Sequence, residues 1–81
     1  MKKVIVNIQL KEGVLDPQGK AVHHALKALQ FNEVKDARIG KQIILHVEES
    51  DKNKIRERVG SMCEELLANT VIETYTIDIE D

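Results

Sequence analysis

The chain has 81 residues, which is room for one domain over residues 1–81 with a thin core, since a chain this short buries only about 60–65% of the surface it exposes when unfolded. Twelve Lys and Arg interspersed with fourteen Asp and Glu give a net charge of −2, and the aromatics are one Phe and one Tyr, so neither the positive field nor the stacking platform of a nucleic-acid binder is present. A single cysteine excludes a disulfide framework and fits a reducing, cytoplasmic setting, no run approaches the ~18 apolar residues of a membrane span, and small domains so placed are usually completed by self-association.

Met1-Lys2-Lys3 precedes a short apolar run broken by Asn7 and Gln9, too short and too polar for a signal peptide. The alternation instead predicts a strand over roughly Lys3 to Leu10. Val4, Val6, Ile8 and Leu10 share one face, and Ile5, Asn7 and Gln9 share the other. After a turn at Glu12-Gly13, Asp16-Pro17 is a good helix start, because Asp caps and Pro is pre-organised for the first helical position. Val22, Ala25, Leu26 and Leu29 then form one apolar stripe at helical spacing.

The segment Gly13 to Lys20 superficially resembles a phosphate-binding loop. Five residues separate its glycines where that motif needs four, and Ala21 follows Lys20 where Ser or Thr is required. Pro17 also lacks a backbone donor and Asp16 adds negative charge, so a capped helix start is the better reading. His23 and His24 are adjacent and diverge by about 100° on a helix. With His46 on a strand and no second cysteine, the histidines read as solvated surface groups and no metal site is expected.

From Val34 to Glu48 the residues Ala37, Ile39, Ile43, Leu45 and Val47 have one parity. They fit a hairpin with a three-residue loop, Gly40 to Gln42. They fit equally a single long strand through Gly40, half of it pairing with a neighbouring subunit. Arg38-Ile39-Gly40-Lys41 places two cations around a glycine, chemistry suited to an anion or to a partner's carboxylates.

A second helix is predicted from about Asp51 to Ala68, with Ile55, Val59, Met62, Cys63, Leu66 and Leu67 as its stripe and Asn69 as a left-handed cap. Gly60 is an unusual residue inside a helix, tolerated or admitting a second backbone. Cys63 lies far from the helix start and next to Glu64 and Glu65, which raises a thiol pKa, so it reads as core. The last strand, Val71 to Ile79, aligns Val71, Tyr75, Ile77 and Ile79, with Glu73 as the odd residue on that face.

The order β-α-β-β-α-β predicts an α+β domain, similar to ferredoxin-like folds, with both helices on one face of an antiparallel sheet and its central strands open to sharing across a dimer. The other face carries Ile5, Ile44 and Ile72 among polar residues, as one patch or as scattered exposures.

Three stretches then resemble the PurS family, the small subunit of phosphoribosylformylglycinamidine (FGAM) synthase in purine biosynthesis. They are Gly13-Val14-Leu15-Asp16-Pro17-Gln18-Gly19 with Ala21-Val22 and Ala25-Leu26, Val34 through Arg38-Ile39-Gly40-Lys41, and Cys63-Glu64-Glu65-Leu66-Leu67-Ala68-Asn69-Thr70-Val71-Ile72-Glu73 with Tyr75. Thr70 stands where many members have Pro, and Gln30 where many have Gly.

The resemblance implies a homodimer or homotetramer that joins an ATP-using synthetase subunit (PurL) to a glutaminase subunit (PurQ). It implies no catalytic residue, metal or cofactor in this chain, ATP with magnesium being used elsewhere in the complex. A role in assembly, and in ammonia transfer between the two active sites, follows from it. The rival reading is a free-standing metabolite-binding module, supported by fold analogy alone. The residues expected to touch partner subunits are Gly13, Asp16, Gln18 and Gly19 in the first turn, and Arg38, Gly40 and Lys41 in the middle segment.

Overall fold

The computed structural model describes residues 1–80. Its elements are β1 (Lys2–Leu10), α1 (Pro17–Ala28), β2 (Gly40–Val47), α2 (Lys52–Met62) and β3 (Glu73–Glu80), with a π-helical turn at Cys63–Leu67 continuing α2. The three strands form one antiparallel sheet in the order β2-β1-β3.

The period-2 alternation sets the register. Val4 lies between Leu45 and Ile79, and Val6 between Ile43 and Ile77, so like faces like across both pairings. α2 closes over this face, and the core is Val4, Val6, Ile8, Ile55, Val59, Cys63 and Ala68. Burial of these apolar side chains supplies most of the folding free energy available to so small a sheet.

No residue of α1 joins that core. Both helices were expected on one face, but within a single chain only α2 is packed there. Val22 and Leu29 on the α1 stripe remain 41% and 66% exposed. The α+β class stands, with three strands in place of four. Residues 34–39 form neither a hairpin arm nor a strand, because no strand of the same chain lies beside them.

The end of α2 also departs from the simple helical period. The Ala68 N–H donates to the Cys63 carbonyl at 3.0 Å, five residues back, and this wider turn buries both ends of that span. Leu66, assigned to the stripe by 3.6-residue spacing, is consequently 82% exposed. Asn69 is not the left-handed cap. It organises the turn into β3 instead, its side chain accepting from Val71 N–H at 3.2 Å and its carbonyl from Ile72 and Glu73 N–H. Val71 lies in that turn, outside β3 and largely exposed.

On the open face Ile5 and Ile44 are direct neighbours in register. Ile72 is hydrogen-bonded through its carbonyl to Lys11, six residues further along than Ile5 and therefore about 20 Å away at strand rise, so the three isoleucines form no single patch.

Candidate functional site

The two segments singled out for partner contact come together at one end of the sheet, and the residue that joins them is Asp16. Its carboxylate caps α1, accepting the Gly19 N–H at 2.8 Å through Oδ1. Through Oδ2 it accepts the Ile39 N–H, also at 2.8 Å, while the Arg38 Nε stands 4.0 Å away. The hydrogen bond from Ile39, then that from Gly19, and then the Arg38 charge hold the Asp16 carboxyl below its ordinary value, against the opposing effect of burial. Arg38 also donates to the Lys11 carbonyl at 3.2 Å, which stitches the end of β1 into the junction.

Gly19 is required by close approach. A Cβ there would run into the Ala37 carbonyl oxygen and would stand 2.8 Å from Asp16 Oδ2. Gly40 is in the same position, since its Cβ would meet the Ile8 carbonyl oxygen at 2.8 Å where β2 begins to pair with β1. A cleft of ≈ 220 Å³ lies beside these residues, lined by Asp16, Gln18, Ile39, Gly40, Lys41 and Glu73 among others.

Asp16 and Gly19 are thus turned inward and committed to the junction. Gln18, Arg38 and Lys41 are its exposed polar side chains, Gly40 is exposed as well, and Gly13 sits apart in the preceding turn. Glu73, the odd polar residue on the inner face of β3, belongs here too: it accepts the Asn69 N–H at 2.7 Å and pairs with Lys41 at 3.8 Å. Its place was marked in the sequence by a carboxylate at an apolar position. Ala37 and Lys11 carried no such mark, because both act through backbone oxygens.

His23 corrects the reading of the histidines as solvated. It is half-buried, and its Nε2 donates to the Val34 carbonyl at 3.0 Å, tethering the returning chain to α1. His24 and His46 are exposed.

Chemically reactive groups elsewhere are quenched. Cys63 is fully buried, and burial followed by the Glu64 charge pushes its thiol pKa up. The Tyr75 hydroxyl donates to Glu64 at 2.8 Å, which raises its pKa as well. Among the described residues no group of three His, Cys, Asp or Glu side chains could hold a metal ion. Among the described residues no helix is long and apolar enough to cross a membrane.

An α+β domain with its thiol sealed in the core and one amphipathic helix left uncovered offers surface to other proteins, and that is the class of protein to which this geometry points. The chain belongs to the PurS family: the family model for PurS, phosphoribosylformylglycinamidine (FGAM) synthase, matches residues 3–81. It is 54% identical over 81 residues to the phosphoribosylformylglycinamidine synthase subunit PurS of Bacillus subtilis, covering 100% of this chain and 95% of that protein. The solved structure of Bacillus subtilis PurS superposes with a TM-score of 0.89 and 54% identity over 100% of each chain. A chain in the structure of PurLQS from Thermotoga maritima superposes with a TM-score of 0.88 and 37% identity, covering 96% of this chain and 95% of that one.

Proposed function

We propose that this chain is the assembly subunit of a glutamine-dependent FGAM synthase, self-associating as a homodimer and holding a synthetase and a glutaminase subunit together. The observation that carries the reading is unused surface. The accessible area is 6068 Å², about 1,100 Å² more than the roughly 4,900 Å² of a compact monomer of this size. That excess is close to the ~800 Å² each partner contributes to a standard protein interface. The radius of gyration, 16.0 Å, likewise exceeds the ~12 Å of a compact 81-residue chain.

A second copy supplies the natural cover. The α1 stripe of one protomer has the apolar chemistry needed by the inner face of β2 in its partner, where Ile43, Leu45 and Val47 are only half-buried. A cleft of ≈ 350 Å³ between the end of β2 and α2, lined by Val47, Ile55 and Met62 among charged residues, extends the same surface. Residues 34–39, unpaired by a strand of this chain, lead into β2 and are free to pair with that neighbour.

The partners are read from PurLQS of Thermotoga maritima, a complex with a closely superposing chain. The exposed members of the Asp16 junction, Gln18, Arg38 and Lys41, are the contacts proposed for them. ATP and magnesium are used by the synthetase; this chain contributes binding surface and works in the cytoplasm, where Cys63 stays reduced.

Co-elution with the purified synthetase and glutaminase, with subunit ratio from light scattering, tests the assembly. Complex formation is expected, and Lys41→Glu should weaken it without unfolding the free subunit, because the Lys41 side chain is exposed and pairs with Glu73, outside the apolar core. Elution of this chain separately from both partners contradicts the proposal.

A further inference from the structure

We propose that Asp16 is the latch of α1, fixing the direction in which the helix leaves the sheet and so the position from which its apolar stripe meets a second copy. The inference rests on the self-association proposed above and adds the device that sets its geometry.

The helix has no side chain in the core. Its direction is therefore decided at its base, where residues 11–16 lead into it and residues 29–39 return. Both connections converge on one carboxylate, with Gly19 N–H on Oδ1 and Ile39 N–H on Oδ2. The contact is doubled by shape, since the first turn of α1 lies so close to the Ala37 carbonyl that Gly19 has no space for a Cβ. It is closed on the outside by Arg38, which bridges Asp16 and the Lys11 carbonyl.

Asp16 is only 5% exposed and both of its carboxylate oxygens accept backbone N–H groups, so shortening the side chain takes the acceptor from Ile39. Leverage makes the junction consequential. The twelve residues of α1 span about 18 Å, so a tilt of roughly 10° at the base moves the far end by ~3 Å, enough to unseat a packed stripe.

Two caps allow a controlled test. Asp16→Ser keeps a helix cap for Gly19 but is too short to reach Ile39 as well. Asp51→Ser makes the same change at α2, whose cap serves Asn53 and Lys54 within its own first turn and joins no second segment. Gly19→Ala attacks the junction by shape, its Cβ crowding the Ala37 carbonyl oxygen and Asp16 Oδ2, while the Asp16 carboxylate keeps its charge. Self-association is read by light scattering, and opening by amide hydrogen exchange at Gly19, Ile39 and the strands.

Asp16→Ser and Gly19→Ala should each weaken self-association about tenfold or more. Exchange at Ile39 should quicken by a similar factor, with β1 still protected. Asp51→Ser should leave association within about twofold of the wild type. Wild-type association in both junction variants, or equal weakening by Asp51→Ser, overturns the latch. A monomeric wild type contradicts the self-association reading instead; exchange then decides, with faster exchange at Ile39 in Asp16→Ser supporting the latch and unchanged exchange overturning it.

Discussion

Gln30 holds a backbone conformation that its side chain disfavours. Its φ is 75°, the Phe31 N–H returns to the Leu26 carbonyl at 3.0 Å, and the Gln30 N–H to that of Lys27. This is the Schellman close of a helix, for which glycine is the usual residue at the left-handed position. Gln30→Gly should therefore stabilise the protein by roughly 0.5–1 kcal/mol, the left-handed penalty less the added freedom of the unfolded chain. A higher urea midpoint with unchanged slope is the expected readout.

Asp16 makes stability depend on acid. Its carboxyl pKa in the native state lies below the ordinary 3.8. The stabilisation is therefore present above about pH 4, where the unfolded group ionises, and is lost as pH falls through the lower native value. The urea midpoint should drop below pH 4, and Asp16→Ser should flatten that part of the profile. At this scale the sequence was partly legible. Asp16-Pro17 marked the cap, and Glu73 marked itself as a carboxylate among apolar positions. The second partner of Asp16, a backbone N–H twenty-three residues away, leaves no trace in composition or spacing.

The two helices differ in what their apolar residues are for, and substitution should separate them. Ile55 of α2 is fully buried against the sheet. Ile55→Ala should cost about 2–5 kcal/mol through lost transfer energy and the cavity left behind. Val22 and Leu26 of α1 contribute little to the core of one chain. Leu26→Asp should leave a monomer with an intact sheet while abolishing self-association. Circular dichroism beside light scattering checks both, and loss of the sheet in Leu26→Asp would show that α1 is needed within the chain.

Periodicity read these elements well where side chains repeat at the ideal interval. The strands came out with their faces correct except at Val71, which lies outside β3 and is exposed, and α1 and α2 began at their acidic caps. It failed where the interval changes. The π-turn from Cys63 rotates Leu66 to the surface, and a 3.6-residue pattern has no means of registering an extra residue in one turn. The middle segment failed differently. The parity of Ala37, Ile39 and Ile43 is the same for a hairpin and for a straight run, so the alternation could not choose between them. In the folded chain residues 34–39 precede β2 and belong to no strand.

For the whole molecule, the extended shape and the exposed stripe are what the proposed second copy would cover. Its extents are 48 × 27 × 14 Å. Completion by a second copy predicts a melting temperature that rises with protein concentration, since association stabilises the folded state by mass action. Membership of the PurS family makes the chain a subunit of FGAM synthase.

The most direct test is reconstitution of glutamine-dependent FGAM synthase activity from purified synthetase and glutaminase subunits, with and without this chain. Turnover that depends on its addition, and that falls with the assembly-defective Lys41→Glu variant, is the predicted result. The same glutamine-dependent turnover in its absence would contradict the account.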